Sequence, residues 1–309
     1  MSYLASLMLR LTRGAARLPE SLCARHADYV AAAQRGDGGF AGRRGRSDPY
    51  YTSFALRTLA VLGKLQPEVA VSAAAFLQAR LAEDLTPADF LALVGAAALI
   101  ERFTGEDPFA RAGRDRRAAV IDFTKRLRRD DGAYAKTERS GPSSTYQTFL
   151  VAASKELVGA PLDHAGPIVE VLRSRRRDDG GFVELPVVRQ SGTNPTAAAM
   201  GLLGILERAD EPAARGAAGF LAAMQTPEGG FRANTRIPVA DLLSTFTALA
   251  TLADLGALQT VHTKGAAAYV ASLEVPEGGF RGGPWDDAPD VEYTFYGIGS
   301  LAVLAAAEA

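Results

Sequence analysis

The chain has 309 residues, of which 48% are hydrophobic and 22% charged, with a formal net charge of −1. That is enough apolar material for a sizeable core, and the near-neutral balance excludes a general affinity for nucleic acid or an anionic membrane. A single cysteine, Cys23, excludes an internal disulfide framework and a cysteine-based zinc cluster.

The first predicted element is a helix in the opening segment "MSYLASLMLRLTRGAARLPE". Its apolar patch comes before Arg10, Arg13 and Arg17, the reverse of the order in a signal peptide. Residues 1–20 are therefore expected to be a terminal helical segment of a cytoplasmic protein. No stretch reaches the roughly 18 apolar residues of a membrane span. Beyond residue 20 one short turn recurs. "RGDGGF" ends at Phe40, "RDDGAY" at Tyr134, "DDGGF" at Phe182, and "PEGGF" at Phe231 and again at Phe280. Between the acidic residues Asp37, Asp131, Asp179, Glu228 and Glu277 the steps are 94, 48, 49 and 49 residues, and the first is close to twice the others. One further unit has lost its turn near residue 84 ("AEDLTPADF") while keeping its downstream helix, "FLALVGAAALIERF". A period of this size marks a repeat architecture, here of six units with one degenerate.

Each unit has the same internal order. An apolar-periodic segment such as "AAGFLAAMQ" precedes the turn, a variable polar loop follows it, and an Ala- and Leu-rich segment such as "TFTALATLADLGAL" closes the unit. Apolar residues recur at three- and four-residue spacing in both segments, which predicts two helices per unit. Paired glycines suit a helix stop, and Asp48, Ser143, Thr193, Asp241 and Asp290 suit N-caps of the second helices. The second helices are small and apolar on nearly every face, as in "TAAAMGLLGIL", so they belong inside with the first helices around them. Periodicity leaves open whether such units close into a ring or extend as a solenoid.

The acid-Gly-Gly-Phe turn, the loop and the Leu-rich helix resemble the repeat of protein prenyltransferase beta subunits and of squalene and oxidosqualene cyclases. The similarity runs from "RHADYVAAAQ" to "DVEYTFYGIGSLAVL", and it is greatest to the Rab geranylgeranyltransferase beta subunit. It implies an all-α fold, a closed alpha6-alpha6 toroid of six helix pairs in a single domain over residues 21–309, with an apolar central cavity. It also implies an isoprenoid diphosphate or other polyprenyl ligand and a protein partner of alpha-subunit type. The transferases of this family hold zinc through Asp and Cys two residues apart and a His on the next inner helix. Here Asp241 keeps the Asp, Leu243 stands in place of the Cys and Tyr293 in place of the His. Zinc is therefore not expected. An all-oxygen set of Asp241, Asp290 and Glu292 would favour a hard cation such as Mg2+.

In the family, basic loop residues hold the diphosphate. Arg232 and Arg236 lie nearest to that pair, and Arg189 and Arg281 occupy equivalent loops. Other loops carry Arg43, Arg44, Arg46, Lys136 and Arg139, and acidic neighbours such as Glu138, Glu184, Asp286 and Asp287 offer the plainer role of surface ion pairs. Aromatic residues gather at the starts of second helices. Tyr51, Phe54, Tyr146, Phe149, Phe246, Phe295 and Tyr296, beside Tyr50 and Tyr293, are either core or the lining of an isoprenoid site. Three functions compete. A zinc-free prenyltransferase would use Asp241 as base. A protonation-initiated terpene cyclase would use Glu292, with Tyr293 beside it, in "DVEYT". A non-catalytic scaffold would bind an isoprenoid or a protein. Cys23 with His26, and the run "RSRRR" at Arg173 to Arg177, read as a structural pair and as the solvated face of an outer helix.

Overall fold

The computed structural model describes residues 1–307, so the last two positions of the expected 21–309 domain lie outside the described residues. Its helices fall in pairs. After α1 (Tyr3–Ala15) come α2 (Glu20–Ala32) with α3 (Pro49–Val61), and α4 (Pro67–Arg80) with α5 (Pro87–Thr104). A short α6 (Pro108–Arg111) leads to α7 (Arg116–Lys125) with α8 (Thr145–Leu157). Then follow α9 (Ala165–Arg175) with α10 (Thr193–Ile205), α11 (Glu211–Ala223) with α12 (Leu242–Asp254), and α13 (Thr263–Ser272) with α14 (Val291–Ala307). The only strands among the described residues are β1 (Phe231–Arg232) and β2 (Ala240–Asp241), which pinch one loop. Degenerate or not, all six repeats supply both helices.

The recurring turn is a hydrogen-bonding device, as the third copy illustrates. Asp179 accepts from Gly181 N–H at 3.0 Å and from the Ser191 hydroxyl at 2.7 Å, so the acid ties the turn to the end of its own loop. Gly180 has φ +84°, and a Cβ there would stand 2.4 Å from the Gly216 carbonyl of α11, so only glycine allows the next outer helix this close. Phe182 is buried, and its N–H donates to Thr196 Oγ1 at 2.9 Å. That hydroxyl in turn donates to the Gly192 carbonyl at 2.7 Å. Thr52, Thr148, Thr245 and Thr294 serve Phe40, Tyr134, Phe231 and Phe280 in the same way. A buried N–H beside an aromatic anchor needs an acceptor, and a threonine hydroxyl both accepts and donates. In the degenerate unit Phe90 stands where the threonine would be, four residues after the cap, and the turn that needed it is gone.

Caps follow expectation at three of five positions. Asp48, Asp241 and Asp290 accept from Tyr51, Ser244 and Tyr293 N–H. Ser143 and Thr193 are one residue out of place. The Ser143 hydroxyl is taken by Asp131 at 2.6 Å, and Ser144 caps α8 instead by accepting from Gln147 N–H. Thr193 is the first residue of α10, after Gly192, and its hydroxyl donates to the Arg232 carbonyl at 2.6 Å.

The described residues form two compact units, one of 6–120 with 273–307 and the other of 1–5 with 121–272. In the first, α5, α3 and α14 pack in series, α2 lies against α3 and α14, and α4 against α5. The last repeat thus joins the first: Gly278 approaches the Arg25 carbonyl and Tyr29 of α2 as Gly180 approaches α11. In the second unit α10 packs between α8 and α12, with α11 against both α10 and α12. Tyr3 of α1 donates its N–H to Glu156 and sets its ring edge-on to Phe149, with centroids 5.5 Å apart.

One outer helix departs from the solvated face expected for "RSRRR". Arg173 is exposed and paired with Glu170, but Arg175 is only 3% exposed. It occupies the position that Leu127, Met224 and Leu273 fill in neighbouring repeats, where the carbonyl accepts from the residue after the turn's aromatic. Position within the repeat, not charge, decides burial there. Cys23 and His26 do not share a ligand. The Cys23 thiol faces the Ala15 carbonyl, and His26 binds Glu274 and Gly279 N–H.

Candidate active site at the starts of α3 and α14

Both helices of this site are begun by aspartate caps, Asp48 and Asp290, which fix the direction of the residues that follow. On α14 the second residue is Glu292. Its carboxylate accepts from the Tyr50 hydroxyl of α3 at 2.6 Å and from the Tyr296 hydroxyl, one turn on, at 3.2 Å. Burial pushes the Glu292 carboxyl above its ordinary range. The Tyr50 hydrogen bond works against this, while the nearby charge of Asp290 adds to it. The result is a carboxyl group biased toward its protonated form and held in place by two phenols.

Aromatic rings surround it. Phe54 meets Tyr50, Tyr296 and Phe295 at centroid distances of 5.0, 5.3 and 5.5 Å, and Tyr293 lies 6.2 Å from Tyr296. Tyr51 stands edge-on to Tyr50, and burial, then the charge of Glu292, pushes its hydroxyl up to about 12. A cation already rests on this wall, since the Arg57 guanidinium lies 4.3 Å from the Phe54 centroid and 4.6 Å from that of Phe295. Such faces carry negative potential and stabilise positive charge by about 0.5–2 kcal/mol per contact.

Above the helix starts, the loops tie themselves together. Arg43 forms a fork with Asp286 and reaches Asp290 at 3.2 Å, and its guanidinium lies 5.6 Å from the Tyr293 ring. Burial pushes Asp286 up, but hydrogen bonds from Arg43 and Gly282 N–H outweigh it and hold this carboxyl low. Burial raises Asp290, with its capping bonds and Arg43 in opposition.

The structure therefore gathers Glu292, Tyr293, Tyr51, Phe54, Phe295 and Tyr296 in one place. Arg281 begins the loop of the same repeat. The remaining expected residues belong to the other unit. Tyr146 is 45% exposed, at the register position of Tyr50 and Glu292. Phe149 packs against Tyr3, and Phe246 is buried in α12. Asp241 spends one oxygen on Ser244 N–H and the other on the Ser244 hydroxyl, both at 2.7 Å, and burial raises its carboxyl. Arg232 ends β1 and donates to the Ala223 carbonyl, while Arg189 and Arg236 are exposed on their loops. Of the acids weighed as surface partners, Asp286 does pair with Arg43, Glu138 pairs with Arg126, and Glu184 serves α8 by accepting from the Ser144 hydroxyl and the Tyr146 N–H. Sequence reasoning missed the roles of Tyr50 as donor and of Arg57.

The donor set does not fit zinc. Leu243 offers no ligand atom, Asp241 is engaged by Ser244, and among the described residues no three His, Cys, Asp or Glu side chains gather to hold a metal ion. Of the all-oxygen set, Asp241 belongs to one unit and Asp290 with Glu292 to the other. Among the described residues, no helix is long and apolar enough to cross a membrane.

Comparison with known proteins bears on this arrangement. The family model of the prenyltransferase alpha-alpha toroid domain matches residues 8–78, 91–232 and 195–309. No curated protein matches the sequence significantly. Among solved structures, Candida albicans protein geranylgeranyltransferase-I complexed with GGPP is similar with a TM-score of 0.73, at 14% identity over 91% of both chains. A variant of type II terpene cyclase MstE from Scytonema, in complex with geranylgeranyl dihydroxybenzoate, gives 0.63 at 15% identity over 99% of this chain and 100% of that one. An alpha-1,6-mannanase from a Salegentibacter species gives 0.60 at 12% identity, over 94% and 99%. Likeness at such identities shows the fold alone. With six helix pairs, a turn shared by five of them and a family model spanning most of its length, the chain has the all-α toroid fold and belongs to the prenyltransferase alpha-alpha toroid domain family.

Proposed function

We propose that the protein is an isoprenoid-converting enzyme that works by proton transfer from Glu292, an acid-initiated cyclase. The observation that carries this reading is the Glu292 carboxyl, raised by burial, held by the Tyr50 and Tyr296 hydroxyls and set among aromatic faces. A carboxyl that holds its proton more tightly than usual is suited to act as a general acid. In the step it supports, the Glu292 proton forms a C–H bond with one alkene carbon, using the π electron pair and leaving a cation on the neighbouring carbon. A second alkene of the same chain closes a C–C bond onto that cation. Loss of a proton to solvent then regenerates an alkene, Glu292 is reprotonated from solvent, and the product is an isomer of the substrate. Phe54, Phe295 and Tyr296 offer ring faces to the cation.

The test is incubation with a diphosphate-free geranylgeranyl arene and, separately, geranylgeranyl diphosphate, both in excess chelator, with products followed by mass and chromatography. The expected result is a cyclised isomer of unchanged mass from a substrate that keeps its head group. Glu292→Gln should lower the rate roughly 10²–10⁴-fold without loss of fold. Diphosphate release that Glu292→Gln leaves untouched would overturn the reading.

A second reading, a zinc-free prenyltransferase, is favoured by the likeness to the GGPP-bound transferase over 91% of both chains. In it Arg232, Arg236, Arg189 and Arg281 would hold a diphosphate, Asp241 would act as base, and a partner of alpha-subunit type would be sought. The same incubation decides between them, and no consumption of either substrate leaves an isoprenoid-binding scaffold.

A further inference from the structure

The run "RSRRR" that closes α9 divides in the fold. Arg175 turns to Ser143, whereas Arg173, Arg176 and Arg177 line a cleft of about 590 Å³ with Arg215, Gly216 and Gly219 of α11. All of these residues belong to the unit of 1–5 with 121–272. The volume is that of a small-molecule site, and four guanidinium groups set its charge. Two acids of the turn also line it. Asp179 is held by its own turn, accepting from Gly181 N–H and the Ser191 hydroxyl, and Asp178 is exposed. Four cations thus face two acids, one of them already engaged.

Arg176 is fixed in the cleft. In the next repeat of the same unit its place is filled by Gln225, whose Nε2 donates to the Gly229 and His262 carbonyls. Arg176 makes the equivalent bridge with Nη2 alone, to the Pro212 carbonyl of α11 at 2.7 Å. A Cβ at Gly216 would stand 2.6 Å from that Nη2, so glycine is needed for the guanidinium to lie across α11. Nε and Nη1 take no hydrogen bond among the described residues, and an arginine held by one nitrogen presents the others as a planar fork. Gly219 is different, because a Cβ there would meet nothing within 4 Å. Glycine weakens a helix interior relative to alanine, and no packing contact explains it here. Its effect is to leave the floor of the cleft open. At the same place α13 has Ala268 and α9 has Glu170. Nor is the charge a property of the repeat, since Ala222, Gln225 and Thr226 stand where Arg173, Arg176 and Arg177 do. Arg173 and Arg215 pair with Glu170 and Glu211 on their own helices, fully in solvent reach. Such exposed pairs contribute little and exchange readily for a doubly charged anion.

We propose that the cleft between α9 and α11 binds a small phosphorylated molecule, whose phosphate or diphosphate accepts from the fork of Arg176 with Arg173 and Arg215 beside it. Arg177, which donates to the Ser174, Arg176 and Val188 carbonyls, contributes its charge and holds the loop. The site is separate from the Glu292 site, whose residues lie in the other unit. Either reading can therefore fail without the other.

The test is calorimetric titration of the full chain with inorganic phosphate and inorganic diphosphate, in excess chelator and about 50 mM salt. Diphosphate should saturate with a Kd below about 1 mM and bind more tightly than phosphate. Gly219→Glu places an acid on the floor of the cleft, where no atom stands in its way and a better helix former replaces glycine. The variant should keep its fold and weaken diphosphate about tenfold or more. Arg176→Gln retains the bridging chemistry seen at Gln225 and should weaken it about fivefold or more, because the fork is lost. Absence of saturation by about 10 mM diphosphate would overturn the proposal, as would an affinity that Gly219→Glu leaves unchanged. Diphosphate binding that disappears with Arg236→Ala but not with Gly219→Glu belongs to the loop arginines and likewise defeats it.

Discussion

His26 has no exposed surface, and its two ring nitrogens are spoken for. Nδ1 accepts from Gly279 N–H at 2.9 Å, so the proton sits on Nε2, which donates to Glu274 at 3.1 Å. The ring also stacks on Phe280, 4.6 Å away, so one side chain pins the final turn to α2. Burial lowers the His26 pKa below its ordinary 6.5, with Glu274 opposing. A depressed pKa means that the stabilisation is present above 6.5 and is lost as the pH falls through the folded value. Burial raises Asp48, Asp241, Asp290 and Glu292, whose contribution has the opposite sign: it is present at low pH and lost as the pH rises. A difference between two proteins isolates the histidine. Thermal midpoints of the wild type should fall further between pH 7 and 5 than those of His26→Asn, which should itself be less stable at pH 7 by about 1–3 kcal/mol. Parallel curves would dismiss the role of His26. The residue lies in the "HADY" segment, yet nothing local to that segment announces that its acceptor is needed 253 residues later.

At the scale of elements, the repeat predicts more than its own charges do. Four outer helices lead into a residue whose carbonyl binds the chain just past the turn, and that residue is Leu127, Met224 or Leu273 in three units and Arg175 in the other. Arg175 reaches the Ser143 carbonyl and hydroxyl, both at 3.1 Å, while Nε and Nη1 have no hydrogen-bond partner among the described residues. Burial pushes its pKa down, with Asp131 and Glu184 opposing. Desolvating a cation is expensive, and replacing a buried charged group by a well-packed apolar one is often stabilising by about 1–4 kcal/mol. Arg175→Met should therefore raise the urea midpoint, and a fall would show that the network with Ser143 and Asp131 outweighs the desolvation. Helix positions were legible here because periodicity is a local property of the chain. The two displaced caps were not, because Ser143 and Ser144 are equivalent by propensity and only the competing claim of Asp131 separates them.

At the scale of the molecule, the chain ends are interdependent. Residues 273–307 form one compact unit with residues 6–120, in which α14 packs on α3 and Gly278 on α2. Arg43 of the first loop holds Asp286 and Asp290 of the last, and Tyr50 holds Glu292. A chain ending at Ser272 should accordingly lose amide protection in α2 and α3, near the other end of the sequence, as hydrogen exchange would reveal. Unchanged protection there would mean that the first repeat folds without the last. The candidate acid depends on the same closure, since Glu292 and its principal donor Tyr50 come from opposite ends of the sequence.

By itself the sequence determined the six helix pairs, the turn that joins five of them, and the family, because periodicity and glycine placement are both written locally. Glu292 and most of its aromatic neighbours were legible too, as residues near inner-helix starts. Only the tertiary structure decided which of those residues meet. It drew Glu292, Tyr50, Phe54, Phe295, Tyr296 and Arg57 together, left Tyr146, Phe149, Phe246 and Asp241 in the other unit, and buried Arg175 where composition alone suggests a solvated charge. Contacts between repeats depend on how helices pack across long separations in the chain, and no local pattern carries that information.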